Sequence, residues 1–196
     1  MLSVIAFICA SCSKNSGAVG PTFPIAQTPA NLSRPVQPAA AGEVRYRVPE
    51  GWKVETPTSD MRAAQYKLPK AEGDREDALL ILYYFGPGQG GSAQANIDRW
   101  ISQITQPDGQ PSKERAKIGT EVVNGLAVDT VDLKGNYSGG MSPDSAPGDK
   151  QAIYRLRGAV IDTPKGSYFV KLTGPEKTVA FWERDYTEYL RSFEFK

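Results

Sequence analysis

The sequence predicts an α+β domain: a largely antiparallel sheet with helices packed against it. Three observations carry that prediction. Segments that alternate apolar and polar residues follow one another through connections of hairpin length, an Asn-Gly dipeptide stands between apolar residues, and two segments carry apolar stripes at helical spacing.

The first strand is Val44 to Val48, where Val44, Tyr46 and Val48 alternate with Arg45 and Arg47 before the turn Pro49-Glu50-Gly51-Trp52. A second runs from Arg62 to Leu68, and the charged stretch Pro69 to Asp77 reads as the hairpin loop behind it. Ala78 to Phe85 is apolar without alternation, the pattern of a central strand covered on both faces. Ser92 to Ile104 is a helix, with Ser92 as N-cap and Ala93, Ile97, Trp100, Ile101 and Ile104 along one stripe. Asn124-Gly125 joins two strands through a tight hairpin. Residues 135–150 hold turn formers throughout and predict a long surface loop. Strands near 151–162 and 167–173 follow. A closing helix starts around Pro175 and aligns Val179, Trp182, Tyr186, Tyr189, Leu190 and Phe193.

In the last hairpin, Tyr154, Leu156 and Val160 share a core face with Tyr168, Val170 and Leu172 only if even-numbered residues pair with even-numbered ones. A type I turn with Pro164 in second position and Gly166 as a left-handed bulge supplies that register, pairing Thr163 with Ser167. Arg155, Arg157 and Lys171 then project together from the opposite face, beside Ile153 and Phe169. Two readings follow. The cations lie beneath a covering helix or loop and pair with its carboxylates, or they form a basic, partly aromatic patch for an anionic partner.

Composition excludes several chemistries. The 196 residues hold 23 Lys and Arg against 22 Asp and Glu, so no net field favours nucleic acid. There is no His, and the only cysteines are Cys9 and Cys12, which removes Ser-His-Asp and Cys-His nucleophiles and imidazole zinc sites. No catalytic residue, metal site or cofactor is expected. The enzyme alternative is a hydrolase using carboxylate or Ser-Lys chemistry near the Gly86 to Gly91 turn and the 135–150 loop. Gly86-Pro87-Gly88-Gln89-Gly90-Gly91 satisfies G-x-G-x-x-G, but Asp108, near where a ribose-binding acid would stand, lies in a Pro-Asp-Gly turn and no Walker lysine follows. The turn is therefore expected to cap a helix and bind no nucleotide. The acidic run Glu72 to Asp77 lacks calcium-loop spacing, and Asp129 and Asp132 fall on opposite faces of one strand. Tyr137 and Met141 are large apolar side chains on the predicted loop and mark a possible binding edge.

The N-terminus reads as an address. Leu2 to Ala10 is apolar except for Ser3, too short to span a bilayer and suited to the core of a signal peptide. Ala10-Ser11-Cys12 resembles the end of a bacterial lipobox, with Cys9 where leucine is usual and no Lys or Arg ahead of the run. The resemblance implies a signal peptide over 1–11, a lipid on Cys12 and, since Ser13 follows, an outer membrane facing the periplasm. Residues 12–43, rich in Pro, Ala, Ser and Gly, read as a disordered tether, leaving 44–196 as one domain. Val48-Pro49-Glu50-Gly51-Trp52, the strand Gly166 to Pro175 and the helix ending Tyr189-Leu190-Arg191-Ser192-Phe193 resemble PsbP-like domains of bacterial lipoproteins. That resemblance implies an antiparallel sheet between helices, an α/β/α sandwich, and a non-enzymatic role binding an envelope protein or a small ligand.

Overall fold

A computed structural model describes residues 44–138 and 153–196. In chain order its elements are β1 (Val44–Arg45), β2 (Lys53–Glu55), β3 (Arg62–Leu68), β4 (Ala78–Tyr84), α1 (Ala93–Ile101), β5 (Ile104–Thr105), α2 (Ser112–Arg115), β6 (Lys117–Val123), β7 (Leu126–Tyr137), β8 (Tyr154–Thr163), β9 (Gly166–Pro175), α3 (Glu176–Phe181), α4 (Glu183–Arg191) and β10 (Glu194–Phe195). Eight strands make one open sheet in the order β2-β3-β4-β9-β8-β7-β5, with β6 beside β5 along the outer edge of β7. β1 and β10 form a separate pair, and all the pairings are antiparallel. This is the expected α+β class.

Helices cover both faces. On one, Tyr66, Leu80, Ile161, Tyr168 and Val170 meet Val179, Tyr186, Tyr189 and Phe193 of the C-terminal segment. On the other, Ile97, Trp100 and Ile101 of α1 pack on Val131, Leu133, Leu156, Val160 and Phe169. Ser92 caps α1 as predicted, its Oγ accepting the Ala95 N–H at 3.2 Å. Asn124 and Gly125 both take positive φ, 49° and 83°, the type I′ geometry that matches strand twist. The Asn124 amide also donates to the Arg191 and Phe193 carbonyls, so the hairpin tip ties down the end of α4.

Several boundaries differ from the prediction. β1 is two residues long because its partner is the chain's last strand, unmarked in the sequence; Tyr46 beyond it is buried and stacks on Phe193 at 4.8 Å. α1 stops at Ile101, and Ile104 reaches the same core from β5. β7 continues through Tyr137, into the expected 135–150 loop; residues 139–150 of that segment, with Met141, lie outside the described residues, as do Cys12 and the tether. The closing helix breaks at Trp182, whose indole N–H donates to the Pro69 carbonyl at 2.8 Å.

The largest correction is the register of the last hairpin. Asp162 pairs with Ser167 and Thr163 with Gly166, so odd residues face even ones. Pro164-Lys165 is a two-residue turn, clasped by the Thr163 hydroxyl, which donates to the Gly166 carbonyl at 2.6 Å. Tyr168, Val170 and Leu172 therefore share the α3–α4 face with Arg155 and Arg157, while Phe169 and Lys171 share the α1 face with Leu156 and Val160. Alternation could not decide this, since both strands are apolar on both faces.

Candidate functional site

The corrected register divides the expected basic group. Arg155 is 7% exposed on the α3–α4 face. Its Nε donates to Asp132 Oδ1 at 2.7 Å, Nη2 donates to the other Asp132 oxygen, and Nη1 and Nη2 reach Glu183 at 3.0 Å. Arg157 stands 3.6 Å from Asp132 and 3.7 Å from Glu183, with its guanidinium 4.6 Å from the Tyr186 ring centroid. Arg155 holds the Glu183 carboxyl below the usual carboxylate range. Both arginines thus pair with a strand carboxylate and the carboxylate of a covering helix, and neither belongs to an exposed basic patch.

Lys171 has the opposite surroundings. It is 9% exposed on the α1 face, and its Nζ donates to Gln103 Oε1 at 2.5 Å and to the Tyr137 hydroxyl at 2.9 Å. No carboxylate among the described residues lies within ion-pair distance of it. α1 packs over β7, β8 and Phe169 of β9, with β4 and β3 next along the sheet. Cross-strand rows there run Gln65-Ile81-Lys171 and Arg62-Tyr83-Phe169. Arg62 donates to Gln65 Oε1 at 2.6 Å, and Arg99 of α1 donates to Asn96 Oδ1. The nearby carboxylates are engaged: Glu55 by Lys67 and Gln65 at 2.9 Å each, Glu76 by the Tyr154 hydroxyl, and Asp98 by Lys113 at 3.3 Å. Tyr137 and Tyr154 stack at 5.8 Å along one side. The result is a buried ammonium bonded to two neutral oxygens, with two guanidiniums, each bonded to a neutral amide, on the elements beside it.

Burial first, and then the Arg99 and Arg62 charges, push the Lys171 ammonium down to about 8, while burial pushes the Tyr83 and Tyr137 phenols up. A lysine depressed in the fold binds fewer protons there than in the unfolded chain, so stability should rise between about pH 8 and 10, by on the order of 2 kcal/mol. Above that, buried tyrosines such as Tyr168, raised to about 12, reverse the trend. Urea titrations at pH 7 and pH 9.5 check this: Lys171→Met should remove the rise and be the more stable protein at pH 7. A wild-type slope that survives the substitution would assign the effect elsewhere.

No protein-family model and no curated protein matches the chain. Its fold resembles that of LpqN. This Mycobacterium tuberculosis protein, described as involved in cell envelope biogenesis, aligns at TM-score 0.52 and 8% identity over 83% of this chain and 90% of its own. A Pseudomonas aeruginosa protein of unknown function aligns at TM-score 0.45 and 13% identity, over 67% of this chain and 81% of that one. At that identity the likeness to LpqN is one of fold alone.

The glycine turn packs against Phe169. Gly90 has φ +90°, and a Cβ there would lie 2.5 Å from Phe169. The Asn96 amide donates to the Gly90 and Ser92 carbonyls at 2.8 and 2.9 Å, clamping the turn to α1. Titration with nucleotides and dinucleotides is therefore expected to give no saturable binding. Micromolar affinity that Gly88→Val abolishes would overturn that expectation. In the acidic hairpin loop, Asp74 accepts the Thr178 N–H at 2.8 Å and its hydroxyl at 2.6 Å, and Asp77 accepts the Lys70 N–H at 2.9 Å. These carboxylates secure a loop and α3. Among the described residues no group of His, Cys, Asp and Glu is placed to hold a metal, and no helix is long and apolar enough to cross a membrane.

Sequence reasoning named Lys171 and Phe169 but missed Arg62, Arg99, Tyr83 and Gln103, which come from separate elements. The available signal was Lys171 itself, the one charge inside the run Tyr168 to Leu172.

Proposed function

We propose that the chain is a non-catalytic binding domain of the cell envelope, anchored by a lipid on Cys12 and engaging an envelope protein or small ligand at the surface around Lys171. The carrying observation is Lys171: a buried ammonium bonded to two neutral oxygens lowers stability, and the fold could do without it. The architecture shared with an envelope-biogenesis protein, the lipobox-like Ala10-Ser11-Cys12 and the PsbP-like strands support the envelope assignment. Ser13 favours the outer membrane, facing the periplasm.

Mass spectrometry of the mature N-terminus is expected to find an acylated Cys12, because a multiply acylated cysteine is what stable anchoring requires. An unmodified Cys12, or an intact Met1, would remove the anchor from this reading. Capture of partners from solubilised envelopes, compared between wild type and Lys171→Met, tests the surface around Lys171. A hydrolase is the second reading, favoured by the lowered proton affinity of Lys171 beside Tyr137. A lysine base needs a nucleophile within reach, and the hydroxyl that Lys171 bonds is a phenol. Ester turnover lost in Lys171→Met would favour the enzyme.

A further inference from the structure

We propose that the domain dimerises through β6, which pairs with β6 of a second copy about a two-fold axis at Thr120 and joins the two sheets into one. The inference is independent of the surface around Lys171. β6 is a long free edge: seven residues in unbroken register with β7, without proline or bulge, whereas β2 at the opposite edge has three. Edges of that kind are normally blunted by charge, bulge or cover. Here Ile118 and Val122 stand 48% and 74% exposed.

The hairpin fixes which backbone groups are free. A type I′ turn at Asn124-Gly125 closes on a bonded Val123–Leu126 pair, so Val123, Glu121, Gly119 and Lys117 direct their backbone groups to β7. The Thr130 hydroxyl donates to the Gly119 carbonyl at 3.2 Å, in keeping with that alternation. Ile118, Thr120 and Val122 therefore point their N–H and C=O groups outward, and among the described residues no backbone hydrogen bond beyond the ladder reaches them.

A second copy satisfies all of these groups in one register. With Thr120 opposite Thr120 of the second copy, Ile118 meets Val122 of the second copy and Val122 meets its Ile118, so each outward group gains a partner and the exposed apolar side chains cover one another. On the other face Lys117 lies diagonal to Glu121 of the second copy, twice by symmetry and within reach of a long side chain. An axis at Gly119 would set Val122 opposite Ala116, whose N–H already bonds the Ser112 carbonyl. An axis at Glu121 would set that carboxylate against its own copy. The strand is complementary to itself in hydrogen bonding and in charge, and a two-fold pairing closes at two copies.

The test is sedimentation equilibrium of the full chain from about 10 µM to about 1 mM, with amide hydrogen exchange at both ends of the range. A reversible monomer–dimer equilibrium is expected, in which the Ile118, Thr120 and Val122 amides exchange several-fold more slowly as the dimer fills. Thr120→Pro removes an outward N–H and leaves the ladder to β7 its bonds, and Val122→Lys puts a charge against Ile118 of the second copy. Each should weaken dimerisation about tenfold or more. Lys117→Glu and Glu121→Lys should each weaken it several-fold alone, and an equal mixture of the two should restore it, because the diagonal pairs again join opposite charges. A monomer throughout the range would overturn the proposal, and β6 amides that are slow at every concentration would assign the edge to another segment of the chain. A dimer that Thr120→Pro and Val122→Lys leave intact would place the interface elsewhere, and a mixture no tighter than its components would overturn the two-fold register.

Discussion

Gly158→Ala is expected to lower stability by about 3 kcal/mol and Gly158→Val by more, enough to threaten folding. A Cβ on Gly158 would lie 2.3 and 2.5 Å from two ring carbons of Trp100 and 3.0 Å from a Val131 methyl. The indole is 4% exposed, closed in by the rest of α1, and has nowhere to retreat. Adding Trp100→Leu should return part of what the methyl removes, so a double-mutant cycle by urea denaturation would give a large favourable coupling. Additive losses would mean that helix and strand do not meet at this point.

Arg155→Met is the other large effect, a loss of about 3 kcal/mol, or roughly 10 °C in Tm for a domain of this size. The substitution keeps the aliphatic stem but leaves Asp132 and Glu183 with Arg157 alone, at 3.6 and 3.7 Å. Glu183 is half exposed, which holds the loss below that of a fully dry pair. The pH dependence has a definite sign. Arg155 depresses the Glu183 carboxyl in the fold, so its stabilisation is complete above the unfolded carboxyl's range near pH 4.3 and fades as acid is added through the folded value. Thermal melts from pH 7 to 3 should therefore fall more steeply for wild type than for Arg155→Met. Parallel curves would show that this cluster contributes nothing, and a melting temperature unchanged at pH 7 would return Arg155 to the surface.

What the sequence made legible were features carried by neighbours in the chain. Ser92 as a cap, Asn124-Gly125 as a reversal and the apolar run from Ala78 each need only local chemistry, and each stands where expected. β2 and β10 were invisible because strands of two or three residues have no period and exist through partners far along the chain. The hairpin register failed for a related reason. A two-residue and a three-residue connection around Pro164 both bury apolar side chains, so only the layers above and below could decide. The pairing of Arg155 and Arg157 with a helix was foreseeable from cations in an otherwise apolar strand. The cluster around Lys171 was not, since it assembles from β3, β4, β7, β9 and α1, and no stretch of sequence holds more than a fragment of it.

The pairing of Val44 with Phe195 and Arg45 with Glu194 sets the first described residue beside the next-to-last. In connectivity the domain is therefore nearly a ring. A short linker from Lys196 back to Val44 would leave each strand partnership of the large sheet intact, and the chain could be reopened at Asn124-Gly125 or Pro164-Lys165, both exposed reversals. The same closeness means that any label or fusion carried on Lys196 sits beside Val44, and reports on that point of the domain instead of on Lys171.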